Sequence, residues 1–311
     1  MAGWTDIEWT DRTWNLMRGC SPKSEGCRNC YAMRQAIRMS GAGGAYEGLV
    51  RKTAKGPRWT GAVRFVPELL DLPHRWREPS RIFVASMSDP FHPRFRDAQI
   101  DAMVASMYLA PQHVFQVLTK DPERMSRYLS DPALYDRVLR AADVLRARRP
   151  KLTAIGIANP TRHPAPWVQW GTSVENQETA DDRLRWLART PAAVRIVSYE
   201  PALGFVDFTA WRAAVHGIFV GGESGPGARA FDVEWALRTI DFGRRYGIAI
   251  FVKQLGRRPI ANSVPLRLKS RKGKDMGEWA PELRVRDLAG AAPGAVLRSN
   301  VARRGAAAAA A

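Results

Sequence analysis

The stretch "RIFVASMSDPFH" (81–92) changes character halfway, from an apolar, β-branched run to a polar cluster. A continuous apolar run of this length suits a strand buried on both faces, as in a parallel sheet. The polar cluster at its end matters as much, because parallel barrels and open α/β sheets bind their ligands at the carboxyl ends of the strands. The same two-part pattern recurs down the chain. "HVFQVLT" (113–119) runs into "TKDPER" (119–124), "VQWGTS" (168–173) into "TSVENQ" (172–177), and "VRIVSY" (194–199) into "SYEP" (198–201). "GIFVGG" (217–222) runs into "GGESGPG" (221–227) and "IAIFVKQ" (248–254) into "KQLG" (253–256), while "RTWNLMR" (12–18) is a weaker candidate for the first strand.

Helical patterns lie between these runs. "DAQIDAMVASMYLAP" places Ile100, Met103, Val104 and Met107 on one face, with Asp97 as its expected N-cap and Pro111 beyond its end. Residues 121–149 read as one or two helices broken near Asp131-Pro132. Asn176 is placed to cap the next helix and Asp232 the last, which Gly247 stops. Strand–helix alternation on this scale implies right-handed βαβ units. The expected fold is therefore α/β: a partial or irregular (β/α) TIM-like barrel of parallel strands, its cysteine loop after the first strand and its site on the strand-end face. Residues 1–288 are expected to form one domain and 289–311 a disordered, basic and Ala-rich tail. The Gly-rich, basic segment 40–77 is expected to cover one mouth of the barrel, and 147–167 to be a long, proline-dotted connection.

Composition narrows the setting. The chain has 311 residues, 45% hydrophobic and 25% charged, in the range of globular proteins. No apolar run reaches the ~18 residues of a membrane span, and "MAGWTDIEWTDRTW" has early acids and no apolar signal core. The cytoplasm is the expected compartment, where clustered cysteines bind metal or do redox chemistry more often than they pair. The net charge of +18 favours a nucleic acid or another polyanion as partner. From Arg257 onward there are 12 Lys+Arg against 4 Asp+Glu, with "RLKSRKGK" (267–274) the one compact run, so the competing reading is a solvated basic tail. Trp4, Trp9 and Trp14 recur every fifth residue, matching neither helix nor strand. Anchoring an irregular N-terminal arm in the core is their expected role, stacking on a base the alternative.

All three cysteines, Cys20, Cys27 and Cys30, fall in "GCSPKSEGCRNCYA" (19–32). Structural zinc takes four closed ligands, so zinc needs a remote fourth, for which His74, His92 and His113 are candidates. A disulfide leaves one thiol over, and a nucleophile needs only one. A 4Fe-4S cluster held by three thiolates leaves one iron open to a substrate or cofactor, and this is the favoured account. Arg18, Lys23, Arg28 and Arg34 are expected to help keep the thiols ionised.

A three-cysteine loop after the first strand of an α/β barrel resembles the radical S-adenosylmethionine enzymes. Their usual spacing is CxxxCxxC with an aromatic before the third cysteine; here it is CxxxxxxCxxC, with Asn29 there and Tyr31 just after. "IEWTDRTWNLMRGCSPKSEGCRNCYAMR" (7–34) more closely resembles a phage-associated family of uncharacterised three-cysteine-motif proteins. "FVASMSDPFH" (83–92), "VLTKDPERM" (117–125), "WGTSVENQ" (170–177), "SYEPALG" (198–204), "VGGESGPGAR" (220–229) and "FVKQLG" (251–256) extend that likeness over roughly residues 4–290.

The resemblance implies that Cys20, Cys27 and Cys30 ligate the cluster. Its open iron would chelate S-adenosylmethionine, and reductive cleavage would give a 5′-deoxyadenosyl radical. It places Tyr31, Ser86, Ser88, Asp89, Ser173, Glu175 and Asn176 at the cofactor, and Glu200, Glu223 and Lys253 at the substrate, with Lys253 as acid or base. Each strand-end residue also reads as an ordinary loop or cap residue. The implied partners are a nucleic-acid or nucleotide substrate, an electron donor and a partner protein encoded nearby, with no membrane. Two rivals stay open: a zinc-binding nucleic-acid-binding protein without catalysis, and a redox or scaffold subunit.

Overall fold

Seven of the predicted apolar runs become neighbours in the order in which the chain makes them. The computed structural model describes residues 2–148 and 164–294. Its main sheet contains β1 (Ala2–Trp4), β2 (Arg12–Trp14), β3 (Arg81–Val84), β4 (Val114–Thr119), β5 (Val168–Ser173), β6 (Val194–Tyr199), β7 (Gly217–Gly221) and β8 (Ala249–Gln254). From β3 to β8 each strand pairs in parallel with the one before it. Only β1 is antiparallel, an edge strand that the sequence patterns did not suggest. Besides a single helical turn at Leu72–Arg75, the α-helices are α1 (Tyr31–Ala36), α2 (Asp97–Tyr108), α3 (Pro122–Leu129), α4 (Leu134–Arg148), α5 (Gln177–Arg189) and α6 (Val233–Tyr246).

Alternation along the strands builds two cores. Outward residues such as Ile82, Val84, Phe115, Val117, Val197, Ile218 and Val252 pack with Ile100, Met103, Leu184, Leu187 and Ile240 of the helices. Inward residues Leu118, Ile196, Phe219 and Phe251 form a second cluster around Trp9. Trp9 stacks on Phe219 of β7 at 4.6 Å and tilts against Phe83 of β3 at 4.7 Å. One ring can touch strands four places apart only because the sheet is curled, so the architecture is the expected partial TIM-like barrel. β1 and β8 do not pair with each other; the free edge of β8 is covered by residues 285–287, through Val252 N–H to Val285 O and Asp287 N–H to Ile250 O, both 2.8 Å.

Local chemistry explains most helix limits. Residues 121–148 form two helices with the break at 130–133, as the Asp131-Pro132 pair suggested. Asp232 caps α6 through Glu234 N–H, and Gly247 stops it at φ 68°. Asn176 caps α5: its Oδ1 accepts from Thr179 N–H at 3.0 Å, while Thr179 Oγ1 accepts from Asn176 N–H at 3.1 Å. Asn176→Ala is expected to lower stability by about 1 kcal/mol, read as a downward shift of the thermal midpoint. Asp97 differs from expectation: it is the first residue of α2, and its carboxylate accepts from Arg124 Nη2 at 2.8 Å instead of capping.

The tryptophans divide. Trp9 fills the barrel, and the Trp14 side chain is buried on the outer, helix-covered face of the sheet with Nε1 donating to Leu69 O at 2.7 Å. Trp4 is 66% exposed, its ring covered on one side by the Arg12 guanidinium at 3.9 Å, so the edge strand leaves it outside the core.

Segment 40–77 shelters the cysteine loop. Tyr46, Leu49, Val50 and Trp59 pack with Ala32, Met33 and Ala36 of α1 and with Met87, and Cys20 and Cys30 lie against this cluster. At the other end of the chain, Ala289 O accepts from Gln169 Nε2 at 2.8 Å and Gly294 N–H donates to Gln112 O at 2.9 Å. The rest of the expected tail, from residue 295, and most of the 147–167 connection lie outside the described residues. Among the described residues no helix is long and apolar enough to cross a membrane.

Candidate functional site

The polar strand ends meet around one cavity of about 790 Å³. Thr13 within β2 and Asn15 just after it line the cavity, with Ser86, Ser88 and Asp89 after β3 and Thr119 and Lys120 at the end of β4. Ser173, Ser198, Glu200, Glu223, Lys253 and Gln254 supply the ends of β5 to β8. Cys20, Cys27, Cys30 and Tyr31 complete the wall. All three cysteines are free thiols and part-exposed.

The cysteine loop is shaped by short turns. Cys27 N–H donates to Ser24 O at 2.9 Å, Arg28 N–H to Glu25 O at 3.1 Å and Cys30 N–H to Cys27 O at 3.3 Å, after which α1 begins at Tyr31. Successive strand ends then pin the loop. Ser88 Oγ donates to Gly19 O at 2.5 Å, His92 Nε2 pairs with Ser21 Oγ at 2.9 Å, and Lys23 meets Asp121 at 2.5 Å. Ser24 Oγ donates to Glu175 Oε1 at 2.9 Å, and Asn29 Nδ2 donates to Glu223 Oε2 and to Gly227 O, both at 2.9 Å.

Several residues expected at the cofactor or substrate are therefore committed to holding this loop. Glu175 is 1% exposed and lies behind the cavity wall, between Lys120 Nζ and Arg183 Nη1, the latter at 3.1 Å. Gly26 passes directly over it: a Cβ there would lie 2.5 Å from Glu175 Oε1. Burial alone would raise this carboxyl, but Lys120, Arg183 and the Ser24 hydroxyl outweigh it and hold its pKa below the ordinary value. Glu223 accepts from Arg229 N–H at 2.9 Å and from Arg229 Nη2 at 2.7 Å as well as from Asn29. Its burial penalty is likewise overcome by the Arg229 and Asn29 hydrogen bonds, which hold its pKa low. Asp89 accepts from Phe91 N–H, Thr119 Oγ1 and Lys120 N–H at 3.0, 2.6 and 2.8 Å, ordering the β3 and β4 loops. Asn176 is spent on the α5 cap and does not line the cavity.

What remains turned to the cavity is smaller. Tyr31 is 40% exposed with its hydroxyl donating to Ser86 O, and Ser86 Oγ donates to Asn15 Oδ1 at 3.1 Å. Ser173 stands at the end of β5, and Lys253 Nζ pairs with Glu200 Oε2 at 2.7 Å. Sequence reasoning passed over Lys120, Ser24, Asn29 and Arg229. "TKDPER" carried the signal for Lys120, a cation directly at a strand end; nothing local marks Ser24 and Asn29, whose partners lie far along the chain, while Arg229 follows its partner Glu223 by six residues across a glycine-rich turn.

The basic residues near the cysteines do not act as expected. Arg18 donates to Asn15 O and Ala45 O, Arg34 to Asn29, Ser224 and Pro226 carbonyls, Lys23 pairs with Asp121 and Arg28 with Glu25. Burial pushes the Cys20 thiol well up, with Asp89 and the other two cysteines adding to it, and burial also raises Cys30 despite the favourable Lys120 charge. The histidines named for zinc are engaged elsewhere. His113 bonds Ser80 N–H and Pro73 O, His74 Nε2 meets Ser106 Oγ, and His92 meets Ser21 Oγ and Arg94 N–H. Among the described residues no group of three or more His, Cys, Asp or Glu side chains is gathered to hold a metal ion.

The fold and cavity define a class: a partly closed parallel α/β barrel with three free thiols at the carboxyl ends of its strands. The chain belongs to the family described as Protein of unknown function (DUF5131), whose profile matches residues 4–291. Among solved structures it resembles "Spore photoproduct lyase complexed with dinucleoside spore photoproduct", with a TM-score of 0.34 and 11% identity over 71% of this chain. The chain spans 58% of that protein's length, and likeness at this level carries no functional inference. No curated protein matches it.

Proposed function

We propose that this protein is an iron–sulfur enzyme of the radical S-adenosylmethionine type acting on a nucleic acid or nucleotide. The observation that carries the reading is the donor set. The only three thiols of the chain stand free on one pinned loop, in the wall of a cavity that closes the strand ends. Cys20, Cys27 and Cys30 would hold a 4Fe-4S cluster, and with no fourth cysteine one iron is left for a small ligand. When bound, the cluster supplies the electron for reductive cleavage of S-adenosylmethionine.

The chain's own residues position and shield. Tyr31, Ser86 and Ser173 offer a ring and hydroxyls to the cofactor's polar groups. Lys253, positioned by its pairing with Glu200, is the group that can exchange a proton with the substrate. The cavity volume lies in the upper part of the usual ~300–1,000 Å³ range for ligand clefts, with room for a cofactor beside the entering part of a substrate. The reductant would come from another protein.

The test is anaerobic reconstitution with iron and sulfide, followed by metal analysis and an assay for 5′-deoxyadenosine. A brown protein with matched iron and sulfide that forms 5′-deoxyadenosine is expected. A colourless protein holding one zinc and leaving the cofactor intact would end the reading.

A further inference from the structure

Two basic segments from different parts of the chain lie at the same cavity, one beside a residue of its wall and the other in the wall itself. The first is "RKTAKGPR" (51–58), with four Lys/Arg and no acid. It is the body of a hairpin in which Val50 pairs with Trp59 and Arg51 with Arg58, and Trp59 stands in the cavity wall. The second is "RLKSRKGK" (267–274), with five Lys/Arg and no acid, of which Lys272 and Lys274 line the cavity.

The second segment is firmly seated. Leu255 N–H donates to Gly273 O at 2.8 Å and Trp279 Nε1 to the same oxygen at 3.1 Å. Of the two nearby acids, Glu278 spends both carboxylate oxygens on the N–H groups of Lys269 and Ser270, at 2.6 and 2.9 Å, and Asp275 accepts from Gly277 N–H at 2.9 Å. The lysine ammoniums are left over. Elsewhere on the surface some exposed arginines pair with local acids, as Arg75 does with Asp71, Arg185 with Asp182 and Arg238 with Glu234, and others, such as Arg38, Arg94 and Arg245, stand singly. The two segments differ in gathering their cations into runs that hold no acid. None of the nine cations in the two segments forms an ion pair with a described residue. None of the wall carboxylates forms an ion pair with them: Glu200 is paired with Lys253, Glu223 with Arg229, Asp89 is surrounded by donors, and Asp6 and Glu8, also in the wall, lie within ion-pair distance of neither segment.

We infer that this rim, with Lys272 and Lys274 at its inner edge, binds the phosphate backbone of a nucleic-acid strand and presents one unpaired nucleotide to the cavity. Unpaired cations on an ordered mouth bind polyphosphate chains by releasing counterions. The cavity admits a base only when it is out of a duplex stack, as enzymes acting on bases require, so the strand must be single or locally opened. The assignment rests on the proposed enzymatic reading for the chemistry inside the cavity, and on the charge pattern alone for the rim.

The experiment measures binding of a fluorescein-labelled single-stranded oligodeoxynucleotide by anisotropy across about 50–200 mM salt, with neither reductant nor S-adenosylmethionine present. The full-length chain should bind with a negative log–log salt slope. Lys272→Ala combined with Lys274→Ala should make that slope shallower by about 1.4, at ~0.7 for each lost phosphate contact on a single strand. Both side chains are exposed, so the fold should be untouched. Arg245→Ala, an exposed position at the end of α6 near the opposite mouth of the barrel, should leave the slope as it was. No measurable binding, a slope unaltered by the double substitution, or equal binding to a blunt duplex of the same sequence would overturn the inference. Strand binding by a protein that holds no iron would sink the enzymatic reading and leave the rim standing. Cofactor cleavage without strand binding would do the reverse.

Discussion

Glu175→Ala is expected to destabilise the protein by about 3 kcal/mol at neutral pH and to release the cysteine loop. The carboxylate is 1% exposed and balances Arg183, whose side chain is 6% exposed, and Lys120, at 20%. Removing one partner of a buried ion pair costs about 3–5 kcal/mol, because the remaining charge stays desolvated. The lower end applies here, since Lys120 can reach water in the cavity. The loop suffers as well: Ser24 loses its acceptor, and Gly26 loses the surface it rests on.

Glu175→Gln separates charge from bulk, and pH supplies the sign. The folded-state pKa is held below the ordinary carboxylate value, so the ionised group stabilises the fold fully above the unfolded value of about 4.3. That contribution is lost as pH falls through the lower folded value. The gap between the natural chain and Glu175→Gln should therefore be constant from neutral pH to about pH 5 and close only in acid. Urea or thermal unfolding across this range checks it. A gap below about 0.5 kcal/mol at pH 7 would mean that the carboxylate is not the anchor of the loop.

Cys27→Ala should abolish bound iron and 5′-deoxyadenosine formation together while leaving the fold intact. It is the cleanest of the three substitutions. Cys20 and Cys30 pack against the Tyr46–Trp59 cluster, so truncating them also disturbs a core. The Cys27 sulfur is outside that cluster; the hydrogen bond it takes in the structure is a long one, 3.5 Å from Lys23 N–H. Its thermal midpoint should match the natural chain within the scatter of an exposed substitution, about ±0.5 kcal/mol. Undiminished 5′-deoxyadenosine formation by this variant would refute the ligand assignment; a large loss of stability would assign Cys27 a structural role instead.

Legibility followed the range of the interactions. The six clear apolar runs became the parallel strands β3 to β8 because burial on both faces needs no knowledge of the partner, only a run of the right length. The Asn176 and Asp232 caps could be read because a cap bonds N–H groups two or three residues away. Asp97 misled because its carboxylate had a better partner, Arg124, 27 residues on. β1 was invisible: three residues at a sheet edge carry no period, and only pairing with β2 defines them.

Residue types, spacings and local propensity thus sufficed for a curled parallel α/β sheet, for the end of it that carries the cavity and for three thiols in one short loop. Tertiary structure alone decided how the polar strand ends divide between cavity and scaffold. Ser24 and Glu175 lie 151 positions apart, and Asn29 and Glu223 lie 194 apart. A carboxylate at a strand end has the same local signature whether it meets a ligand or a distant loop. Folding chooses, because a buried charge must be paired by whatever the chain brings within reach.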